Sequence, residues 1–147
     1  MSLRAIPLTF FIFVLYNVLV LFSGSPPEGG NASDAARALL ATEIFGIPMI
    51  SGATWSFTWG DLILTITLFV LFAEILKATY TSTSSLVDHG LSMLVFIAAL
   101  IEFIVYPGAA TSVFFLILVA LVIDVIAGFT IGIRVARRDI GFGSIDQ

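Results

Sequence analysis

The chain has no cysteine and a single histidine in its 147 residues. The first absence excludes disulfides, thiolate metal sites and cysteine nucleophiles together, and leaves the redox compartment open. The second excludes bis-histidine haem ligation and histidine-rich metal binding. Charge is scarce as well: Asp, Glu, Lys and Arg make up 11% of the residues, with a formal net charge of −4, against roughly 25% charged in a soluble domain. No Lys/Arg cluster is dense enough for nucleic acid. Ser-x-x-Lys, His-Glu-x-x-His and glycine-rich phosphate loops are all missing. The expectation is therefore a non-enzyme with no catalytic residues, no cofactor and no metal site.

What is present is apolar. Hydrophobic residues are 59% of the chain and the mean hydropathy is +1.13, which places it in the lipid bilayer. A chain of 147 residues is long enough for a small bundle but not for a transport fold with two large repeated halves. The fold class expected is an all-α membrane protein, a four-transmembrane-helix bundle forming one polytopic domain over residues 1–147. Against the ~20 apolar residues a spanning helix needs, four runs stand out, at about 5–22, 61–77, 86–106 and 112–133. Arg4, the first run and Ser23-Gly24-Ser25 also fit a secretory signal peptide. Pro26 and Pro27 fit that poorly, and the run is read as an anchored helix with Pro7 in its first turn.

Basic residues orient the bundle. Arg4 precedes the first run, Lys77 follows the second, and Arg134, Arg137 and Arg138 follow the fourth. The connection between the first two runs sets Arg37 against Glu28, Asp34 and Glu43. The positive-inside rule then predicts both termini in the cytoplasm. Pro107-Gly108-Ala109-Ala110 is an uncharged outer turn that makes the last two helices an antiparallel hairpin.

The outer segment, residues 23–60, begins as a turn-rich linker. Ser33 or Asp34 then caps a short surface helix running to Phe45, with Ala35, Ala38, Leu39, Thr42 and Phe45 roughly on one side. Residues 47–50 and 54–59 flank Ser51-Gly52-Ala53 as a possible β-hairpin. Trp55, Phe57 and Trp59 alternate with polar residues, giving either an interfacial aromatic girdle or a docking ridge for another subunit. Asp61 is expected to cap the second run. Ser85-Leu86-Val87-Asp88 has capping-box spacing.

Ionisable residues inside the runs mark candidate sites, because charge in hydrocarbon is costly. Glu102 is predicted about one turn from the outer face, Asp124 near mid-membrane, and Glu74 one turn before Lys77 at the inner face, so the three acids are not expected as one compact triad. Glu74 and Lys77 read as a local i, i+3 ion pair with a snorkelling lysine. Glu102 has two directions open, outer water or Asp61. His89 is either an interfacial polar residue or a proton relay beside Asp88. Ala120, Asp124, Gly128 and Gly132 form a narrow stripe that lets another helix pack closely. Asp124 then hydrogen-bonds across a helix interface, with Thr65 and Thr67 as candidate partners, or else handles protons, ions, a cofactor or lipid.

The stretch from Leu71-Phe72-Ala73-Glu74-Ile75-Leu76-Lys77 through Ser84-Ser85-Leu86-Val87-Asp88-His89 to Ala109-Ala110-Thr111-Ser112-Val113-Phe114-Phe115 resembles uncharacterised small four-helix inner-membrane proteins of proteobacteria. The resemblance covers most of the chain after residue 46. It implies a bacterial inner membrane and a four-helix architecture, and carries over no functional residue. Asn31-Ala32-Ser33 matches a glycosylation sequon, which has little weight in that setting. The favoured function is a non-catalytic subunit or self-assembling scaffold of an inner-membrane complex, as a homo-oligomer or in a larger assembly. The alternative is a small oligomeric channel or proton-linked carrier using the intramembrane acids.

Overall fold

The computed structural model describes residues 6–26, 28–79 and 84–142. Among these the chain is mostly helical: α1 (Leu8–Leu21), α2 (Ala32–Leu40), α3 (Trp59–Ala78), α4 (Ser84–Val105) and α5 (Ser112–Phe142), with strands β1 (Glu43–Pro48) and β2 (Thr54–Thr58) between α2 and α3. A 3-10 turn, Pro107–Ala109, joins α4 to α5. Trp59–Ala78, Val87–Val105 and Ser112–Arg134 are long and apolar enough to cross a membrane. α1, expected from residue 5, is an apolar helix of 14 residues, about 21 Å at 1.5 Å per residue, and residue 5 of the expected run, with Arg4 before it, lies outside the described residues. Pro7 stands at its N-cap rather than inside the first turn.

Local chemistry sets the other boundaries. α3 begins at Trp59, two residues before the expected start, because Thr58 is the cap. The Asp61 carboxylate accepts the Thr58 N–H at 2.9 Å and the Thr58 hydroxyl accepts the Asp61 N–H at 3.2 Å, a capping box closed from within the helix. α2 corrects the outer-helix expectation at both ends. Asn31 is its cap, accepting from Ser33 N–H at 2.8 Å while Asp34 reaches back to the Asn31 N–H at 2.9 Å. It stops at Leu40 because the chain is extended from Glu43 onward. α5 runs past residue 133, since Arg134-Val135-Ala136-Arg137-Arg138 holds no helix breaker.

The hairpin forms with β1 starting earlier than expected. Phe45 pairs with Phe57, Ile47 with Trp55 and Pro48 with Thr54, with an irregularity between Glu43 and Phe45. Met49 N–H donates to Ala53 O at 2.8 Å and Gly52 N–H to Met49 O at 2.9 Å. Gly52 closes the loop at φ +86°, a left-handed conformation that glycine adopts without a Cβ penalty.

Four helices, α1, α3, α4 and α5, enclose a core of Ile12, Tyr16, Ile63, Ala99, Phe114, Ile117, Leu118 and Leu121. Tyr16 and Phe114 meet edge to face at 4.7 Å between centroids, a favoured aromatic geometry. Ala36 and Leu40 of α2 join this core beside Ala109, so α2 seats on one end of the bundle. Arg37 secures it by donating to Ala110 O at 2.9 Å. This is the hairpin end. At the far end α3 finishes, α4 begins and the N-terminus of α1 comes in.

Candidate functional site

At the far end the last turn of α3 meets the first turns of α4. Lys77 Nζ lies 2.9 Å from both Asp88 oxygens and 3.4 Å from Glu74 Oε2, and it donates to Ile6 O at 3.3 Å. Glu74 is 3% exposed and the lysine side chain 28%. The expected i, i+3 ion pair of Glu74 and Lys77 is present, and the partly exposed lysine reaches further, to Asp88 on α4, so that it joins two buried carboxylates on two helices. The physical reason is that α4 begins beside the last turn of α3, which sets Asp88 within reach of Lys77, so the ammonium has a second anion as well as some water. Asp88 is held by that bridge, while the Ser85 side chain of the expected capping box lies outside the described residues.

Glu74 has a second task. A helix opens with orphan N–H groups and the positive end of its dipole, and Pro7 offers no side chain to cap them. The Glu74 carboxylate accepts the Leu8 N–H instead, capping α1 from across the bundle. One residue on, Thr9 Oγ1 donates to Asp124 Oδ2 at 3.1 Å.

Asp124 is 4% exposed and also hydrogen-bonds the Ser92 hydroxyl, with His89 and Asp88 in electrostatic range. The expected partners are elsewhere: Thr65 is exposed, and Thr67 donates its hydroxyl to Ile63 O of its own helix at 2.8 Å. Asp124 and Glu74 interact electrostatically, so two of the three acids share one cluster, which the separate depths assigned from sequence did not anticipate.

His89 is buried, 5% exposed, and packs on the small-residue stripe. A Cβ placed at Gly128 would lie 2.6 Å from His89 Cε1 and 2.9 Å from Cγ, whereas one at Gly132 would lie 4.0 Å from Cδ2. The ring also approaches Phe129 at 6.1 Å between centroids. Gly128 therefore makes room for an imidazole of the same chain. Ala120, on the same stripe, is buried too.

Glu102 belongs to a different group, near the hairpin end. It accepts from Asn17 Nδ2 at 3.2 Å, and its other oxygen, Oε1, is buried with no hydrogen-bond partner. It does not reach Asp61, which the Thr58 cap occupies. One helical step from Asn17, the Tyr16 hydroxyl sits 2.6 Å from Thr111 Oγ1 and donates to Gly108 O at 3.0 Å. Between the two polar groups lie Ile12, Ile117, Leu118 and Leu121, an apolar layer in which Thr67 is closed on its own backbone. Among the described residues no three His, Asp or Glu side chains converge to hold a metal ion.

Sequence reasoning passed over Thr9, Asn17 and Ser92. Asn17 carried a signal, as an amide within the first apolar run; Thr9 and Ser92 carried none, because a lone hydroxyl inside a helix commonly bonds its own backbone. The aromatic residues Trp55, Phe57 and Trp59 are gathered at the hairpin, with Phe57 stacked on Phe45 at 4.9 Å and Trp55 edge-on at 5.7 Å. Comparison with protein-family models, with curated proteins and with solved structures returned no match.

Proposed function

We propose that the chain is a non-catalytic subunit or scaffold of the bacterial inner membrane that crosses the bilayer four times with both termini inside. The hairpin end then faces outward and the Lys77 cluster inward, as the positions of Arg4, Lys77 and the α5 arginines require. The observation that carries the reading is the separation of the polar residues into two end clusters with an apolar layer between. Each cluster ties α1 to other helices: Leu8 and Thr9 to Glu74 and Asp124, Tyr16 and Asn17 to Gly108 and Glu102. Such bonds lock a short helix into a bundle. They trace no polar route along a single chain.

The orientation is directly testable because the chain is cysteine-free. Glu28→Cys should react with a membrane-impermeant maleimide in intact cells, and exposed Thr79→Cys only in inverted vesicles. The reverse pattern overturns the topology.

A proton-linked role has one observation in its favour. The far-end cluster holds three carboxylates, Glu74, Asp88 and Asp124, with one lysine. Asp124 variants separate the readings. Asp124→Asn keeps an acceptor for Thr9 and Ser92, whereas Asp124→Leu removes it, at about 0.6–2 kcal/mol per interhelical bond. For a structural role, native mass spectrometry should show the parent and the Asn variant in the same homo-oligomer or larger complex, and the Leu variant losing it. Proton flux by the parent in proteoliposomes, abolished by Asp124→Asn with assembly intact, overturns the scaffold reading in favour of the carrier.

A further inference from the structure

The two-stranded sheet is amphipathic across its faces. Directly paired residues on antiparallel strands share a face, and so do alternate residues along a strand. Phe45, Phe57, Ile47 and Trp55 therefore form one apolar face, with Gly46, Pro48, Thr54 and Ser56 on the other or at the tip end of the ladder. Among the described residues this face is left largely open: Phe45, Ile47, Met49 and Trp55 are exposed, Trp55 by 49%, Ile50 at the tip is fully exposed, and Phe57 is half-buried. From residue 44 to residue 60 there is no charged side chain.

Two features fix where this face sits. β2 passes into α3 without a linker, through the Thr58–Asp61 cap, and Trp59 N–H donates to Thr42 O at 3.2 Å. Both ends of the hairpin are thus held at the first turn of a membrane-length helix. α3 itself exposes Leu68, Phe69 and Phe72, so the hairpin is joined directly to a helix whose exposed side chains suit lipid. Protein interfaces also concentrate aromatic residues, but set them inside a polar rim. A charge-free face of aromatic and branched aliphatic residues at a helix end matches the glycerol and upper acyl-chain region of a bilayer, where tryptophan concentrates.

We propose that the β1–β2 hairpin is a lipid-binding element that lies in the outer-leaflet interface, with Phe45, Ile47, Trp55 and Phe57 against phospholipid acyl chains and the tip at Met49 and Ile50 inserted. It rests on the membrane reading given above. The other strand face, carrying Gly46 and Ser56, keeps contact with water, which also serves the unpaired edges of a two-stranded sheet.

The chain contains two tryptophans, Trp55 and Trp59, which makes the test spectroscopic. Trp59→Phe leaves Trp55 as the single emitter. Reconstituted in phosphatidylcholine vesicles brominated high on the acyl chain, Trp55 should be strongly quenched, as expected of a tryptophan at the membrane interface, quenched less when bromine is near the chain end, and resist aqueous iodide. Quenching by iodide but not by bromolipid overturns the proposal in favour of a water-exposed hairpin. Quenching by neither overturns it in favour of a face covered by a second copy or another protein. A control carrying Trp55→Phe, Trp59→Phe and Phe69→Trp reports on α3. If bromolipid quenches that control and not Trp55, the hairpin proposal fails and the membrane reading stands; if it fails to quench the control, the membrane reading itself falls.

Discussion

Gly128→Ala is expected to destabilise the protein, by about 1–3 kcal/mol as for overpacked cores. The sign is the informative part. Glycine to alanine in a helix interior ordinarily stabilises by about 1 kcal/mol, so a loss requires a steric conflict. The conflict is specific: the new Cβ would stand 2.6 Å from His89 Cε1, under the contact limit, whereas the same change at Gly132 meets His89 Cδ2 at an ordinary 4.0 Å. Gly132→Ala should therefore be neutral or stabilising. Thermal unfolding in detergent, followed by size-exclusion chromatography, reads both. A double-mutant cycle with His89→Ala should show coupling at Gly128 and none at Gly132. If Gly128→Ala melts at or above the parent temperature, the imidazole is not packed on that glycine.

Lys77→Met should be the most damaging single change at the far end. The methionine preserves the aliphatic stem but leaves Asp88 and Glu74, both buried, without the cation that lies 2.9 and 3.4 Å away. Breaking a buried ion pair from one side costs about 3–5 kcal/mol, because the remaining charge stays desolvated and unpaired. Removing the charge left behind should reverse much of the loss, so Lys77→Met/Asp88→Asn is expected to be more stable than Lys77→Met alone. Glu74 also holds the N-terminus of α1, and the single variant should expose α1 to limited proteolysis near Leu8. A Lys77→Met protein that melts like the parent would show that the ammonium is not bridging the two helices.

The legible parts of the fold are those set by properties that run along the chain. Apolar length placed α3 and α4 to within a few residues of their bounds, and likewise the apolar part of α5, Ser112–Arg134, because a helix in lipid must satisfy its own backbone over the whole hydrocarbon thickness; it did not show how far α5 continues beyond. Alternation around Ser51-Gly52-Ala53 indicated a hairpin, since side chains in a strand change face at every residue. Asp61 was recognisable as a capping residue, although Thr58 shares the cap. The short helix over Asn31 to Leu40 was legible in kind and misplaced at its ends, because three neighbouring residues, Asn31, Ser33 and Asp34, are all competent caps.

Sequence alone determined that this is a mainly helical, membrane-suited chain with a few acids in apolar surroundings. The tertiary structure decided what each acid touches. Glu74 caps a helix 66 residues away, Asp124 takes its hydrogen bond from Thr9 across 115 residues, and Gly128 is shaped to a histidine on α4. Helical periodicity says which residues share a face. It does not say how far each helix is rotated about its axis or which neighbour covers that face, and rotation and neighbour are settled jointly by the packing of all four helices around Tyr16, Phe114 and Ile117. Contacts between residues so distant in sequence are properties of that packing, and they follow only once the bundle has closed.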